Sequence, residues 1–313
     1  MKRVSAYFMA VIMALLWFPP ALAQDTTGKK DIPPAVPIQA FDPSRQKPVS
    51  YVDEKIRAEL VRGPEVGRVK LTELSTGKEQ LVELPTEMAQ VDAIDKGVDG
   101  KLVVRGMVNG STSEVAVIDL GAARVIDRFL CYLPAISYDG RYIAFIKFYP
   151  AHFAEGVEDH YMLYDLAIGP QQNRPSGARG DDWTNVGRCI YPPGVGNAES
   201  DNVGRPRETV HYSKSRLFWS PNREQLFFAD ESNSNSQVTL VLADIAANEN
   251  VSVRVLTQDA GQFCSPSSTG AARCSVLIRN AHFQVAEGGI AVMFETIPSG
   301  QQHEIEYKSA QFR

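Results

Sequence analysis

Residues 138–145 read YDGRYIAF, a polar turn followed by an unbroken apolar run. The Asp-Gly step suits the tight turn of a hairpin, because glycine adopts a positive φ at little cost. The apolar run after it predicts a strand that is buried on both faces. The same pattern returns at residues 98–104 and 220–228, and more weakly at residues 286–292. The chain therefore repeats one turn-and-strand unit.

A second unit alternates with the first. It consists of an apolar strand, a short turn and another strand, and it occurs at residues 69–81, 115–125, 162–169 and 238–255. Two hairpins in alternation make a four-stranded antiparallel blade, and radial repetition of such blades makes a β-propeller. We therefore expect an all-β, β-propeller-like repeat domain of four to five four-stranded antiparallel blades over residues 66–313.

The repeat also resembles a known family. Residues 138–145 and 219–228 are similar to the S-P-D-G-x-x-I-A-F repeat of TolB-like and related WD-repeat-like propellers, which include the propeller domains of prolyl oligopeptidase-type peptidases. The resemblance covers residues 66–311. It implies the fold but not an activity, because one fold hosts many functions. TolB-like propellers usually have six blades, so the resemblance leaves the closure of this ring open.

The N-terminal residues have the pattern of an export signal. A basic start, a 13-residue apolar run and a small-x-small site predict a signal peptide at residues 1–23, cleaved before Gln24. The run is shorter than the roughly 20 residues of a spanning helix. Residues 24–65 are interpreted as a Pro-rich N-terminal arm or linker, with a short helix over residues 51–62. We expect a periplasmic or secreted protein with no integral membrane segment in its mature chain.

The four cysteines predict disulfide bonds, because an even number in an exported chain is typical of them. We expect Cys264–Cys274, which would close a short Ser/Gly loop, and Cys131–Cys189 as the remaining pair. A zinc site is the competing interpretation, but the sequence has no C-x-x-C pair.

Charge and motifs restrict the function. The chain has 37 acidic and 32 basic residues, a balance that disfavours nucleic acid as a partner. It has no G-x-S-x-G nucleophile motif, phosphate-binding glycine loop, H-E-x-x-H or EF-hand loop. We therefore expect no cofactor, and we assign no catalytic residue.

The repeat spacing has one long interval. From Asp99 to Asp139 is 40 residues, whereas from Asp139 to Asn222 is 83 residues. The excess falls in residues 170–212, which are dense in glycine, proline, asparagine and aspartate. We interpret this stretch as an insertion, and long insertions are often functional. A degenerate blade within it is the alternative.

The candidate site residues lie in and beside this insertion. They combine imidazoles, carboxylates and aromatic rings, and they are His152, Glu155, Asp159, His160, Asp182, Trp183 and Tyr191. The imidazoles and carboxylates of residues 152–160 suit a divalent metal, but their spacing matches no known metal signature, and the alternative interpretation is a solvated loop with ordinary surface charge. Trp183 and Tyr191 could anchor a partner or pin the insertion to the domain.

These features favour one function and leave a second open. The first is a binding or scaffold protein that recognises a protein, a peptide or an envelope polymer through residues 149–161 and 170–212. The alternative is a metal-dependent or acid/base hydrolase that acts on glycans with Glu155, Glu158 and Asp159, since glycosidases use paired carboxylates.

Overall fold

Antiparallel strands form all of the regular secondary structure in the residues that the structure describes. The structure is a computed structural model. The described residues are 49–62, 67–85, 87–148, 159–175, 183–192, 211–213, 215–221, 223–232, 237–245, 251–257, 277–286, 289–297 and 306–312.

The first sheet has four strands in chain order: β1 (Ser50–Val52), β2 (Ile56–Arg62), β3 (Gly67–Glu73) and β4 (Glu79–Glu83). The predicted helix over residues 51–62 is wrong, because this segment forms β1 and β2. Ile56, Ala58 and Leu60 also alternate with period two, and pairing of β2 with β3 buries Ala58 completely. The sheet domain therefore begins before residue 66.

The second sheet has seven strands, again in chain order. They are β5 (Gln90–Lys96), β6 (Lys101–Met107), β7 (Ser113–Asp119), β8 (Arg124–Ile136), β9 (Tyr142–Lys147), β10 (Tyr161–Asp165) and β11 (Arg188–Tyr191). The long strand β8 pairs with β7 through its first half and with β9 through its last residues. It thus closes one set of four strands and opens the next.

Two more sheets complete the described fold. One contains β12 (His211–Ser213), β13 (Phe218–Trp219), β14 (Gln225–Ser232), β15 (Gln237–Ile245) and β16 (Val251–Thr257), with β12 and β13 both pairing with β14. The other contains β17 (Leu277–Ala286), β18 (Gly289–Ile297) and β19 (Glu306–Phe312). The all-β prediction is confirmed, and sheets of chain-adjacent antiparallel strands follow one another as blades do in a β-propeller.

The repeated turns have the predicted backbone conformation. Asp99 and Gly100 have φ values of 53° and 68°, and Gly140 has a φ of 75°. A Cβ on Gly140 would lie 2.5 Å from the carbonyl oxygen of Lys96, so this turn also packs closely against the preceding hairpin.

Residues 170–212 are not one continuous insertion. Strand β11 pairs with β10 as the outer strand of its set, and β12 begins the next sheet. Arg174 anchors the connection between β10 and β11 through a bidentate ion pair with Asp127, at 2.6 and 3.0 Å. Asp127 also accepts a hydrogen bond from the Tyr164 hydroxyl at 2.7 Å. Part of the long repeat interval is therefore ordinary blade structure.

The predicted Cys131–Cys189 disulfide is wrong. Cys131 lies on β8 and Cys189 on β11, with β9 and β10 between them, and no bond joins them. Three strand spacings of about 4.8 Å separate the two by about 14 Å, twice the reach of a disulfide. Cys131 is a fully buried core residue, and this burial raises the pKa of its thiol. Cys264 and Cys274 lie outside the described residues.

No stretch within the described residues forms a helix with the length and hydropathy needed to cross a membrane.

Candidate functional site

Three of the predicted site residues, His152, Glu155 and Asp182, lie outside the described residues. Of the other four, Asp159, His160 and Tyr191 lie around the junction of β10 with β11 and β12, whereas Trp183 packs against Arg128 of β8. The predicted cluster is therefore not one surface in the part of the chain that the structure describes.

Asp159 and His160 precede β10 and hold it in place. The Asp159 amide donates to the His211 carbonyl at 2.9 Å, and its Oδ2 accepts the amide hydrogen of Ser213 at 2.7 Å. His160 is 3% exposed, and its carbonyl accepts from the Lys147 amide at 2.9 Å. His160 is thus buried instead of being presented as a surface contact, because the β9–β10 hairpin packs it inside.

Trp183 packs within the protein. The guanidinium of Arg128 lies 3.7 Å from the centre of the Trp183 indole ring. The Trp183 carbonyl accepts a hydrogen bond from the Leu130 amide at 3.0 Å. Arg128 in turn pairs with the fully buried Glu114 and with Glu87, both at 3.0 Å. Trp183 therefore pins its loop to β8, which was the alternative to a partner-binding role.

Tyr191 belongs to a buried polar cluster between β10, β11, β12 and β14. Its ring packs edge-on against His211, whose Nδ1 lies 2.5 Å from Oδ2 of Asp230. The Tyr161 hydroxyl donates to the other oxygen of Asp230 at 3.0 Å. Burial raises the pKa of the Asp230 carboxyl, and the hydrogen bonds from His211 and Tyr161 oppose that rise.

An aspartate on Nδ1 orients an imidazole as it does in acid–base sites. In such sites the imidazole often activates a hydroxyl, but the nearby hydroxyl of Ser213 donates its hydrogen bond to the carbonyl of Ser215 at 3.0 Å. The described residues contain no group of three or more metal-ligating side chains. The cluster joins β10 and β11 to β12 and β14 and thus acts as a latch between these strands.

A separate cavity of about 610 Å³ lies where several strands meet. It is lined by residues of β5, β6, β7, β8, β13 and β17, among them Asp92, Arg105, Ala135, Trp219 and Ala281. In chain order, β5 and β17 are the first strands of their sheets and β13 is the second strand of its sheet. Strand β8 is the first of the four strands β8 to β11. This arrangement is expected where blades repeat around a central channel.

One hydrogen bond joins two walls of this cavity. The indole Nε1 of Trp219 donates to the carbonyl of Ala135 at 3.0 Å. The Trp219 ring also stacks on Tyr142, with 6.1 Å between ring centres. Because Trp219 is almost fully buried, these contacts fix the wall of the cavity.

The cavity also holds exposed apolar side chains. Tyr138 is 73% exposed and Leu133 is 41% exposed, and both line it. Leu133 has a φ of 50°, at a break in register between Tyr132 and Ala135. A leucine in the left-handed region is uncommon, and strained backbone concentrates at ligand sites.

The charged groups of the cavity differ in their partners. Arg105 is held by Asp95 at 2.6 Å and by the Pro134 carbonyl at 3.2 Å. Oδ1 of Asp92 accepts a hydrogen bond from the side-chain amide nitrogen Nε2 of Gln90 at 2.6 Å. Arg216 is exposed, and no ion pair or side-chain hydrogen bond joins it to another described residue.

Sequence reasoning did not select Leu133 or Arg216. The one available signal is the proline at position 134, which follows the apolar residues 129–133, because proline within a strand marks a bulge or an edge. Arg216 has no such signal, since its place in the cavity depends on how separate sheets meet.

A second cavity, of about 1140 Å³, lies between the first two sheets. Its charged lining mixes lysines and carboxylates, for example Lys78 and Lys96 with Asp53 and Asp99. Asp53 already accepts the hydroxyl hydrogen of Tyr51 at 3.0 Å and lies 4.0 Å from the Lys96 amine. The mixed charge does not select one class of ligand.

No protein-family profile matches the sequence, and no curated protein does. Solved structures resemble the fold at low identity. A polysaccharide lyase, Uly1, has 10% identity and a TM-score of 0.45, over 88% of this chain and 71% of the lyase. The β-propeller domain of the Trilobed protease from Pyrococcus furiosus has 12% identity and a TM-score of 0.34, over 85% and 83%.

Kuenenia stuttgartiensis hydrazine synthase has 12% identity and a TM-score of 0.31, over 60% of this chain. The chain spans 49% of the length of that synthase. At these TM-scores the similarities assign neither a family nor an activity to this chain.

Proposed function

We propose that this chain is an exported, β-propeller-like binding protein that holds a short segment of a partner in the 610 Å³ cavity. The observation that carries the proposal is the meeting of two exposed apolar side chains, Leu133 and Tyr138, with the exposed Arg216 in one concave site. Ligand sites are typically concave, largely apolar and supplied with a few polar groups.

The size of the cavity limits what it can hold. Ligand pockets span roughly 300–1,000 Å³, and this cavity lies within that range. A folded domain does not fit such a volume, whereas a short extended segment does. The partner is therefore expected to insert a chain segment.

Matched surface variants test this function. The double variant Leu133→Ser, Tyr138→Ser removes two exposed apolar groups from the cavity. The control Val52→Ser, Ile168→Ser removes two exposed apolar groups, 54% and 40% exposed, that do not line it. We expect the first variant to lose the partner recovered from an envelope extract and the control to retain it. Equal recovery by both would overturn the proposal.

A further inference from the structure

We propose that the bound segment is a peptide end, in which a free carboxylate stands beside an apolar side chain, and that Arg216 contacts the carboxylate. This inference rests on the proposed function and adds the chemical class of the ligand. The apolar contacts are Leu133 and Tyr138, which line the same cavity.

The charge argument selects Arg216. The other arginine of the cavity, Arg105, already has Asp95 and the Pro134 carbonyl as partners. Arg216 is exposed, and no such partner is present for its guanidinium within the described ranges. A planar guanidinium matches a carboxylate with two parallel hydrogen bonds. Asp92 also lines the cavity, but it accepts a hydrogen bond from Gln90 and would repel an anion placed beside it.

The apolar lining favours a peptide over an acidic polysaccharide. Leu133, Ile136 and Leu217 are aliphatic, and aliphatic groups suit a peptide side chain. Sugars pack on exposed aromatic faces, and Trp219 is buried and held by Ala135. Among these groups only Tyr138 offers a well-exposed ring.

The backbone at Leu133 adds a second argument for a peptide. Leu133 and Pro134 have no partner in the register of β8 with β9, and β8 pairs with β7 only as far as Cys131. The main chain of Leu133 therefore lies outside both strand ladders. Extended peptides are commonly recognised through such main-chain groups together with side-chain pockets.

Tryptophan fluorescence provides the readout. From Gln24 onward the tryptophans of the chain are Trp183 and Trp219, so Trp183→Phe leaves Trp219, in the cavity wall, as the reporter. The probes are N-acetyl-Ala-Ala-Leu with a free C-terminal carboxylate, the same peptide as its amide, and oligogalacturonate. We expect the acid to bind about tenfold more tightly than the amide, the scale of one charge-assisted hydrogen bond.

Three variants separate the contributions. Arg216→Gln is expected to abolish the acid-over-amide preference, and Arg216→Lys to restore part of it. Leu133→Ala is expected to weaken the acid and the amide alike. The control Arg223→Gln removes the same charge from an exposed position that does not line the cavity, and it is expected to change nothing.

Each other outcome overturns the ligand class. Equal binding of the acid and the amide to the protein with Arg216 intact would overturn it. A preference for the acid that survives Arg216→Gln would overturn it as well. No response to either peptide, or displacement of the peptide by oligogalacturonate at lower concentration, also contradicts the inference. Loss of partner in the Leu133→Ser, Tyr138→Ser variant together with any of these results would leave the proposed function standing and reject only the peptide end.

Discussion

The indole of Trp219 on β13 donates a hydrogen bond to the Ala135 carbonyl on β8, at 3.0 Å. This bond joins two different sheets across the wall of the cavity. The shape of the cavity therefore depends on a contact between sheets as well as on pairing within them.

Trp219→Phe tests the contribution of that bond. The substitution keeps most of the ring but leaves the Ala135 carbonyl without its donor, so we expect the free energy of unfolding to fall by about 1–3 kcal/mol. Trp219→Ala, which also removes the ring, is expected to cost about 3–5 kcal/mol. Urea unfolding followed by far-UV circular dichroism measures both. Equal losses for the two variants would mean that the hydrogen bond carries the whole effect and the ring none.

Gly140 and Gly77 form a matched pair of glycines. Both have a positive φ, 75° and 69°, but a Cβ on Gly77 would meet no atom within 4 Å. Gly77→Ala is expected to cost about 1 kcal/mol, from backbone strain alone. Gly140→Ala adds a clash with the Lys96 carbonyl and is expected to cost about 1–3 kcal/mol more. Melting temperatures that are equally lowered would show that the hairpins do not pack as described.

Glu114 makes stability depend on pH. Burial raises the pKa of its carboxyl from the ordinary value of 4.5 to about 7, although Arg128 opposes the rise. Because the folded-state pKa is the higher one, its stabilising contribution is complete below pH 4.5 and is lost as the pH rises to 7. The loss amounts to about 3 kcal/mol at 1.36 kcal/mol per pKa unit.

Glu114→Gln removes the titrating group, so we expect a flatter dependence of the unfolding free energy between pH 4.5 and 8. Glu54→Gln, at an exposed position, serves as the control. If Glu114→Gln follows the wild-type curve, the carboxyl does not titrate in this range.

The His211–Asp230 contact is expected to stabilise the pairing of β12 with β14, the two strands that it joins. A double-mutant cycle with His211→Gln and Asp230→Asn should give a coupling free energy of about 1–3 kcal/mol, because Asp230 is fully buried. The exposed pair Arg68–Glu83, 3.3 Å apart, should give a coupling close to zero. Similar values for the two pairs would contradict the role of the buried cluster as a latch.

The sequence predicted the repeated parts of the fold because they depend on local patterns. The Asp-Gly turns and the apolar runs after them identify β6 and β9 without any long-range information. Strands β1 and β2 were missed because Val52, Ile56 and Leu60 also fit helical spacing. Only pairing with β3 decides between the two structures.

The candidate site was harder to predict for a physical reason. Histidines and acids clustered in sequence drew attention to His160 and Trp183, which the fold uses internally. The cavity residues Leu133 and Arg216 are 83 positions apart and meet only through packing between sheets. No local pattern reports that proximity.

The most direct test of the central claim is photo-crosslinking from within the cavity. A photoreactive p-benzoylphenylalanine in place of Tyr138 reports what occupies the site, and the same group in place of Ile168 reports an exposed position outside it. We predict that irradiation of cells producing the protein joins position 138, but not position 168, to one short segment of a partner, identified by mass spectrometry. The same adducts from both positions, or none from position 138, would contradict the account.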